Sequence, residues 1–356
     1  MILKYESKGI WTLGRCSGLV LPPGKVPIKV LRSFVYKNLG SMRDDVIVGP
    51  GIGQDTAVLK AGSELLIVSS DPISGAVEQI GWLAVHICSN DVSTSGARPR
   101  WFVSTILLPE RAKEESIGTI CAQIDAAARE IGVAVVGGHT EATPGLSHPL
   151  VVGTMIGVAE NGKYVTTKDA RVNDEIIMTK GAGIEGTAIL ASDRKEVVGR
   201  FCSAEVVRRA QAYLREIGVH KEAMMAFSTG KVTSMHDPTE GGIAGGLHEM
   251  SDASGKGFIV FKDRIMIRKE TEEICRLFKV DPLELIGSGS LLITCSEGSS
   301  QEILDRLQEE EIAASLIGKV TANPRQRQII LEDGRREPLP MPVSDRLWEA
   351  LERRFQ

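Results

Sequence analysis

The sequence has no closely spaced pair of cysteines and no long uninterrupted apolar run. Its six cysteines lie far apart and none forms a C-x-x-C pair, so neither a structural zinc site nor a disulfide framework is indicated. No apolar stretch approaches about 18 residues, and charged residues occupy the N-terminus where a signal peptide would be apolar. We therefore expect a soluble, cytoplasmic protein that does not cross a membrane.

An excess of basic charge and blocks of like charge are also missing. The 42 Lys and Arg residues against 46 Asp and Glu residues give a net charge of −4, which argues against a surface built to bind nucleic acid. The chain has 356 residues, of which 42% are hydrophobic. A chain of this size exceeds the length at which one core usually keeps growing, so two domains are expected.

Short β-branched strands alternate irregularly with amphipathic helices in both halves of the chain, which favours two α+β domains over one doubly wound sheet. Polar, turn-forming residues at 161–174 predict a boundary near 165, dividing the chain into domains 1–165 and 166–356, with 1–27 as a flexible lead-in. The predicted strands are 46–48, 56–59, 65–69, 101–107, 133–136, 150–158, 175–179, 290–295 and 314–320, and the predicted helices include 28–39, 80–91, 114–131 and 302–310.

Glycine is abundant, with 37 residues against 15 prolines. The glycines fall in short clusters rather than in a repeat, which indicates backbone approaching a ligand. One cluster, Gly181–Gly186, matches the G-x-G-x-x-G pattern of dinucleotide-binding proteins. However, Glu185 lies near where a pyrophosphate would bind, and no strand ending in an acid follows about 20 residues later. A packing turn is therefore favoured, and a dinucleotide-binding oxidoreductase is kept as a competing hypothesis.

Acidic or amide side chains stand at the ends of three successive predicted elements. Asp55 closes the glycine cluster 49–53, Asp71 follows a strand, and Asn90 and Asp91 are expected at the end of a helix. Oxygen ligands delivered from separate elements are what Mg²⁺ bound to nucleotide phosphates requires. Each acid alone could merely cap a helix or fix a turn. Three together beside glycine clusters favour a metal site.

Another glycine cluster is expected directly after a buried strand. Gly137 and Gly138 would let a ligand approach the backbone, and Thr140 and Glu141 follow as oxygen donors. His139 between them could be a structural histidine, a general base or the ligand of a softer metal.

The segment from His236 to Gly242 contains Asp237 and Thr239 and is expected to open a helix at Gly241 and Gly242. Free N–H groups at a helix start bind anions, so this segment is a candidate phosphate site supplied by the second domain. A plain N-cap role for Asp237 is the structural alternative.

In this order, the clusters resemble a superfamily of ATP-dependent enzymes that includes aminoimidazole ribonucleotide (AIR) synthetase, hydrogenase maturation protein HypE, thiamine monophosphate kinase and selenophosphate synthetase. The segment from Asp237 to Gly242 is most similar to the HypE branch. The resemblance implies two AIR synthase-like α+β domains and a homodimer whose first domains pair their sheets into a β-barrel. The matching segments are Gly51–Val58, Ser70-Asp71, Asn90-Asp91, Gly96–Pro99, Gly137–Thr140 and Asp237–Gly242.

The resemblance also implies that ATP and Mg²⁺ bind in a cleft beside this barrel, and that the ATP phosphoryl group is transferred to a small-molecule substrate. Lys25 would be a mobile lysine that reaches the phosphates, and Lys25 and His139 are the candidate catalytic residues. The implied metal ligands are Asp55, Asp71 and Asp91. The implied ATP and phosphate ligands are Gly51, Gly53, Asp55, Asp71, Asn90, Gly137, Gly138, Thr140, Asp237, Thr239, Gly241 and Gly242.

The sequence departs from the HypE pattern at several positions. HypE carries a terminal cysteine that receives and dehydrates a carbamoyl group, whereas residues 352–356 contain none, so we expect no such reaction on this tail. Gln54 and His139 stand where acids are common, and Cys16 resembles the reactive N-terminal region of selenophosphate synthetase only faintly. A nucleotide-binding accessory protein that assists a maturation partner without turnover is therefore the alternative function.

Overall fold

The computed structural model describes residues 3–6, 10–13, 21, 24–74 and 78–355. Cys16 lies outside the described residues. Within the predicted lead-in, strands β1 (Leu3–Glu6) and β2 (Ile10–Leu13) form an antiparallel hairpin. None of the helices in these ranges combines the length and apolar character needed to cross a membrane.

The first domain is a six-stranded sheet with two helices on one face. Its strand order is β3-β4-β5-β8-β6-β7, and only β6 and β7 pair in parallel. Helix α3 ends at Gly132, whose φ of 71° provides the left-handed C-cap. The elements are α1 (Ile28–Val30), β3 (Val46–Val48), β4 (Ala57–Ala61), β5 (Glu64–Ile73), α2 (Ile80–Thr94), β6 (Arg98–Pro109), α3 (Glu114–Ile131), β7 (Ala134–Thr143) and β8 (Leu150–Val158).

The second face of this sheet carries side chains that are half-buried or exposed in the described part of the chain. Along β8, Val151 and Met155 point into the core, whereas Val152 and Ile156 point outward and are half-buried. The edge strand β7 exposes 47% of Val135 and 56% of Val136. An apolar sheet face and an open edge of this kind are surfaces that proteins normally pair or cover.

The second domain is a seven-stranded mixed sheet with order β10-β12-β9-β13-β11-β14-β15. Both strands beside β9 run antiparallel to it, so the parallel sheet required by the oxidoreductase hypothesis does not form around Gly181–Gly186, and that hypothesis is wrong. The elements are β9 (Glu175–Thr179), α4 (Ile184–Asp193), α5 (Lys195–Phe201), α6 (Ala204–Ala212), α7 (His220–Ser228), β10 (Val232–His236), α8 (Gly242–Ser254), β11 (Gly257–Phe261), α9 (Lys269–Phe278), β12 (Leu292–Cys295), α10 (Ser300–Gln308), β13 (Ala314–Thr321), β14 (Arg327–Ile330), β15 (Arg336–Pro338) and α11 (Arg346–Glu352).

The prediction of two α+β domains is confirmed, but three elements differ from their predicted form. The helix predicted at 28–39 is the single turn α1 followed by a wider π-helical turn over Leu31–Val35. Helix α2 continues to Thr94, because hydroxyl groups of Ser93 and Thr94 donate to carbonyls one turn earlier and satisfy polar residues inside it. Residues 137–141 belong to β7, since they pair with β6 instead of forming a loop.

Candidate active site

Three potential metal ligands meet where the two domains touch. The ligand atoms of Asp55, His236 and Asp237 all lie within 4.8 Å of one another. Asp55 follows the glycine loop of the first domain, whereas His236 ends β10 and Asp237 begins the connection to α8. The site therefore exists only because the domains pack together.

Glycines let the backbone segments around this cluster approach closely. Gly53 has a φ of 64°, and a Cβ at this position would lie 2.8 Å from the carbonyl oxygen of Glu249 on α8. A Cβ at Gly246 would lie 3.3 Å from the His236 ring. These two glycines allow contact between protein segments, whereas the sequence pattern indicated contact with a ligand.

A chain of ion pairs runs through the buried ring of His236. Its Nδ1 lies 3.0 Å from Asp55 Oδ2, and its Nε2 lies 2.9 Å from Glu249 Oε2. Lys25 Nζ lies 2.9 Å from the second oxygen of Glu249. Burial alone would lower the pKa of His236, but the charges and hydrogen bonds of Asp55 and Glu249 raise it to about 10.

The same contacts control the pKa of the two carboxylates. Burial alone would raise the pKa of Glu249, but Lys25 and His236 lower it to about 2. In Asp55, burial is likewise outweighed by the charge and hydrogen bond of His236, so its pKa lies below the ordinary value. Both carboxylates are therefore ionised at neutral pH. Burial would lower the pKa of Lys25 as well, but Glu249 and Asp55 raise it.

Asp237 differs from its neighbours because no described side chain is hydrogen-bonded to its carboxylate, although the charge of His236 acts to lower its pKa. The residue is 1% exposed, and neither carboxylate oxygen has a hydrogen-bond partner among the described residues. Burial, reinforced by the charge of Asp55, raises its pKa to about 8. Buried polar groups are nearly always hydrogen-bonded, so this exception requires an explanation.

Asp71 and Asp91 extend the acidic cluster into the first domain. Ser69 on β5 donates from its hydroxyl to Asp91 on α2 and lies 3.2 Å from Asp71 Oδ2. Burial, then the charges of Asp71 and Asp237, raises the pKa of Asp91 well above its ordinary value. The three acids predicted as metal ligands thus lie near Asp237, for which the sequence predicted a role in binding phosphate.

Asn90 is engaged in the domain interface rather than in this cluster. Its Nδ2 donates to the carbonyl of Ile217 at 2.9 Å, and its Oδ1 accepts from the N–H of Val219 at 2.8 Å. The side chain is fully buried. These contacts tie α2 to the segment before α7 and give no support to the predicted role of Asn90 in ATP binding.

The cluster of Gly137, Gly138, His139 and Thr140 lies away from the acids. The strand pairing places Asp71 on β5 opposite Gly153 on β8. Gly153 in turn lies opposite Ser104 on β6, and Ser104 lies opposite Gly138 on β7. With about 4.8 Å between strands, Gly138 is about 14 Å from Asp71. His139 is exposed and contacts Glu141 at 3.2 Å. Within one chain, the structure does not bring the predicted catalytic His139 to the site.

The helix start at Gly241 and Gly242 binds an anion supplied by the protein itself. Asp345, just before α11, accepts from the N–H of Gly241 at 2.6 Å and from that of Leu347 at 2.7 Å. The N–H of Gly242 donates to the carbonyl of Thr239 at 3.0 Å. A phosphate bound as predicted at this helix start would have to displace Asp345.

A cavity of about 350 Å³ lies beside the glycine loop that precedes Asp55. Loop 47–54, which includes Gly51, forms one wall, and Lys168, Asp252 and Ala253 form the other. Its volume is in the range of small-molecule sites. The cavity is therefore lined by a lysine and by residues of the glycine loop.

Sequence reasoning missed His236 and Glu249. His236 directly precedes Asp237 at a strand end, which is a position from which a side chain can enter a site, and this signal was available. Glu249 lies inside helix α8, and no motif in the sequence around it indicates a functional role. Only the packing of α8 against β10 brings it to the histidine.

Both domains match models of known protein families. The model of the AIR synthase related protein N-terminal domain matches residues 53–159, and the model of the C-terminal domain matches residues 171–330. A protein of Methanocaldococcus jannaschii named for hydrogenase expression/formation is 27% identical, covering 90% of this chain and 95% of its own length. Carbamoyl dehydratase HypE of Azotobacter vinelandii is 28% identical, covering 68% of this chain and 70% of its own. A crystal structure of HypE in complex with ATP has a TM-score of 0.68 at 24% identity, covering 90% and 93% of the two chains.

Proposed function

The chain belongs to the AIR synthase-related family, and from this premise we propose that it is an ATP-dependent, metal-dependent enzyme. It would transfer the ATP phosphoryl group to a small-molecule or carbamoyl-type substrate. The single observation that carries the proposal is the buried carboxylate of Asp237, which has no hydrogen-bond partner in the described part of the chain.

The residues present fit a hard divalent cation such as Mg²⁺. Asp55, Asp71, Asp91 and Asp237 offer carboxylate oxygens from four separate segments, which is the ligand chemistry of Mg²⁺. A bound metal ion would neutralise phosphate charge that the acids alone repel. Without such an ion, ionised carboxylates such as that of Asp55 would repel the triphosphate of ATP.

Lys25 is suited to a role in holding the phosphates. Its side chain is 47% exposed and forms an ion pair with Glu249 at the edge of the cluster. The backbone N–H of Lys25 donates to Glu240 at 2.5 Å. Exchange of the Glu249 contact for a phosphate oxygen would move the ammonium without breaking the fold.

The cavity beside loop 47–54 is the proposed compartment for the nucleoside part of ATP. It adjoins Gly53, which packs on the carbonyl of Glu249. A nucleotide bound there would direct its phosphates toward Asp55. Lys168 would lie within reach of the same ligand.

The outer face of the first sheet supports a homodimer. Its half-buried apolar side chains, together with Val135 and Val136 on the open edge, would be covered by a second copy. The relatives named for hydrogenase formation also support a role in metalloenzyme maturation with a partner protein. The five cysteines of the described residues are unpaired, in agreement with a cytoplasmic location.

Calorimetric titration with ATP tests this proposal. The wild-type protein should bind ATP in the presence of Mg²⁺ and lose this binding in EDTA. Asp55→Ala and Asp71→Ala should each abolish the Mg²⁺-dependent binding, because each removes a carboxylate from the cluster. Asp125→Ala, which changes an exposed acid on α3, is the matched control. Unchanged ATP affinity in both cluster variants contradicts the proposal.

A further inference from the structure

We propose that the junction site binds a divalent transition-metal ion, with Nδ1 of His236 as a ligand beside the carboxylates of Asp55 and Asp237. The inference rests on the proposed function for the place of the metal. It goes further by adding a nitrogen ligand and by naming the class of metal ion.

The distances fit an ion held between the two domains. His236 Nδ1 and Asp55 Oδ2 lie 3.0 Å apart. Ligand atoms on adjacent corners of an octahedron with bonds of about 2.1 Å are separated by about 3.0 Å. The ligand atoms of Asp237 lie within 4.8 Å of both residues. An ion can therefore contact all three groups with side-chain adjustments alone.

The second ring nitrogen of His236 is held in the way that metal-binding histidines usually are. Nε2 lies 2.9 Å from the carboxylate of Glu249, which Lys25 holds from its other oxygen. A metal-bound histidine commonly donates this second N–H to a carboxylate, and the contact directs the lone pair of the first nitrogen toward the ion. Nδ1 lies 3.0 Å from Asp55, so without an ion it carries the proton that a bound metal ion would replace.

Asp237 provides the independent evidence for a missing ligand. An ion pair between His236 and Asp55 would by itself explain why these two side chains lie close together. It leaves the carboxylate of Asp237, which is 1% exposed, without a hydrogen-bond partner among the described residues. A cation at the centre of the three groups compensates this carboxylate as well. Without such a cation, the buried carboxylate must either bind a proton or destabilise the fold by several kcal/mol.

The donor set decides the class of ion. Carboxylates alone suit Mg²⁺, whereas an imidazole nitrogen favours first-row transition metals, whose affinities for nitrogen ligands follow the order Mn²⁺ < Fe²⁺ < Co²⁺ < Ni²⁺. The combination of one imidazole and two carboxylates therefore favours ions such as Mn²⁺ and Co²⁺ over Mg²⁺.

Titration of the metal-free, full-length protein with Co²⁺ alone tests the inference by calorimetry and visible absorption. We expect one Co²⁺ per chain and little displacement by a hundredfold excess of Mg²⁺. His236→Gln should weaken Co²⁺ binding at least tenfold and shift the absorption bands. His148→Gln, on the 144–149 loop, is the control and should leave both unchanged. Equal Co²⁺ affinity of wild type and His236→Gln overturns the inference, as does ready displacement by Mg²⁺.

A measurement on the unmodified protein keeps the test valid if His236→Gln does not fold. Pulsed electron paramagnetic resonance of the Mn²⁺-loaded wild type should detect a directly bound nitrogen, and its absence overturns the inference. ATP titration with Mg²⁺ separates this inference from the proposed function. Mg²⁺-dependent ATP binding without Co²⁺ preference contradicts only the inference, whereas Co²⁺ binding without any ATP binding contradicts only the proposed function.

Discussion

Replacement of Asp237 by Asn should stabilise the metal-free protein, and the gain should grow with pH. The pKa of Asp237 is raised from 3.8 to about 8 in the folded state. A raised pKa means that the stability contributed by the bound proton is complete below 3.8 and is lost as pH rises through about 8. From this shift, ionisation of Asp237 lowers the free energy of unfolding by at most about 2 kcal/mol at pH 5 and about 4 kcal/mol at pH 7.

The measured gain should be smaller than this limit, because the Asn amide remains in the same buried position without partners. We expect about 2 kcal/mol at pH 7, which corresponds to about 4 to 8 °C in melting temperature. The assay is thermal unfolding of both proteins in EDTA at pH 5, 6, 7 and 8. The two proteins differ only at residue 237, and the measured difference includes the effect of this change on the pKa of His236 and Asp55. A difference that does not change with pH, or a loss of stability at pH 7, refutes the reasoning.

Three further predictions concern the surrounding residues. Lys25→Met should lower kcat for ATP turnover more than it weakens ATP binding, and equal kcat in steady-state assays contradicts its phosphate role. Gly53→Ala should cost about 2 kcal/mol or more in denaturant unfolding, because its Cβ meets the Glu249 carbonyl. Gly62→Ala has the same φ of 64° with nothing near it, so it should cost only about 1 kcal/mol; equal losses contradict the close contact. The pKa of Glu249 is lowered from 4.5 to about 2. The ionised carboxylate therefore contributes to the free energy of unfolding above pH 4.5, and this contribution is lost as pH falls to 2. Glu249→Gln should remove this pH-dependent loss, which is at most about 3 kcal/mol in unfolding measurements.

Elements with a strong local pattern were predicted closely from the sequence. Helix α3 and strands β8 and β9 have the predicted bounds, because their apolar residues follow one period and their ends carry turn-forming residues. Asp55 and Asp71 were predicted as metal ligands because they follow recognisable strands and glycines, and the structure places both near Asp237. Local pattern thus defined the fold class and part of the acidic cluster.

Predictions that depended on distant contacts were less accurate. Asn90 bonds to backbone groups about 130 residues away in sequence, and no local signal distinguishes this contact from a ligand role. The Gly137–Thr140 segment resembled a ligand loop, but its pairing with β6 makes it an exposed edge strand. No local pattern distinguishes Glu249 from a solvated helix residue, and only tertiary packing places it against His236. Such contacts are set by tertiary structure, which single-sequence patterns do not report.

Anomalous diffraction from crystals grown with Mn²⁺ and a non-hydrolysable ATP analogue tests the central claim most directly. We expect a manganese peak between Asp55 and Asp237, with the nucleotide phosphates bound to the same ion. Well-ordered nucleotide at another site, with no manganese at the domain junction, would contradict it.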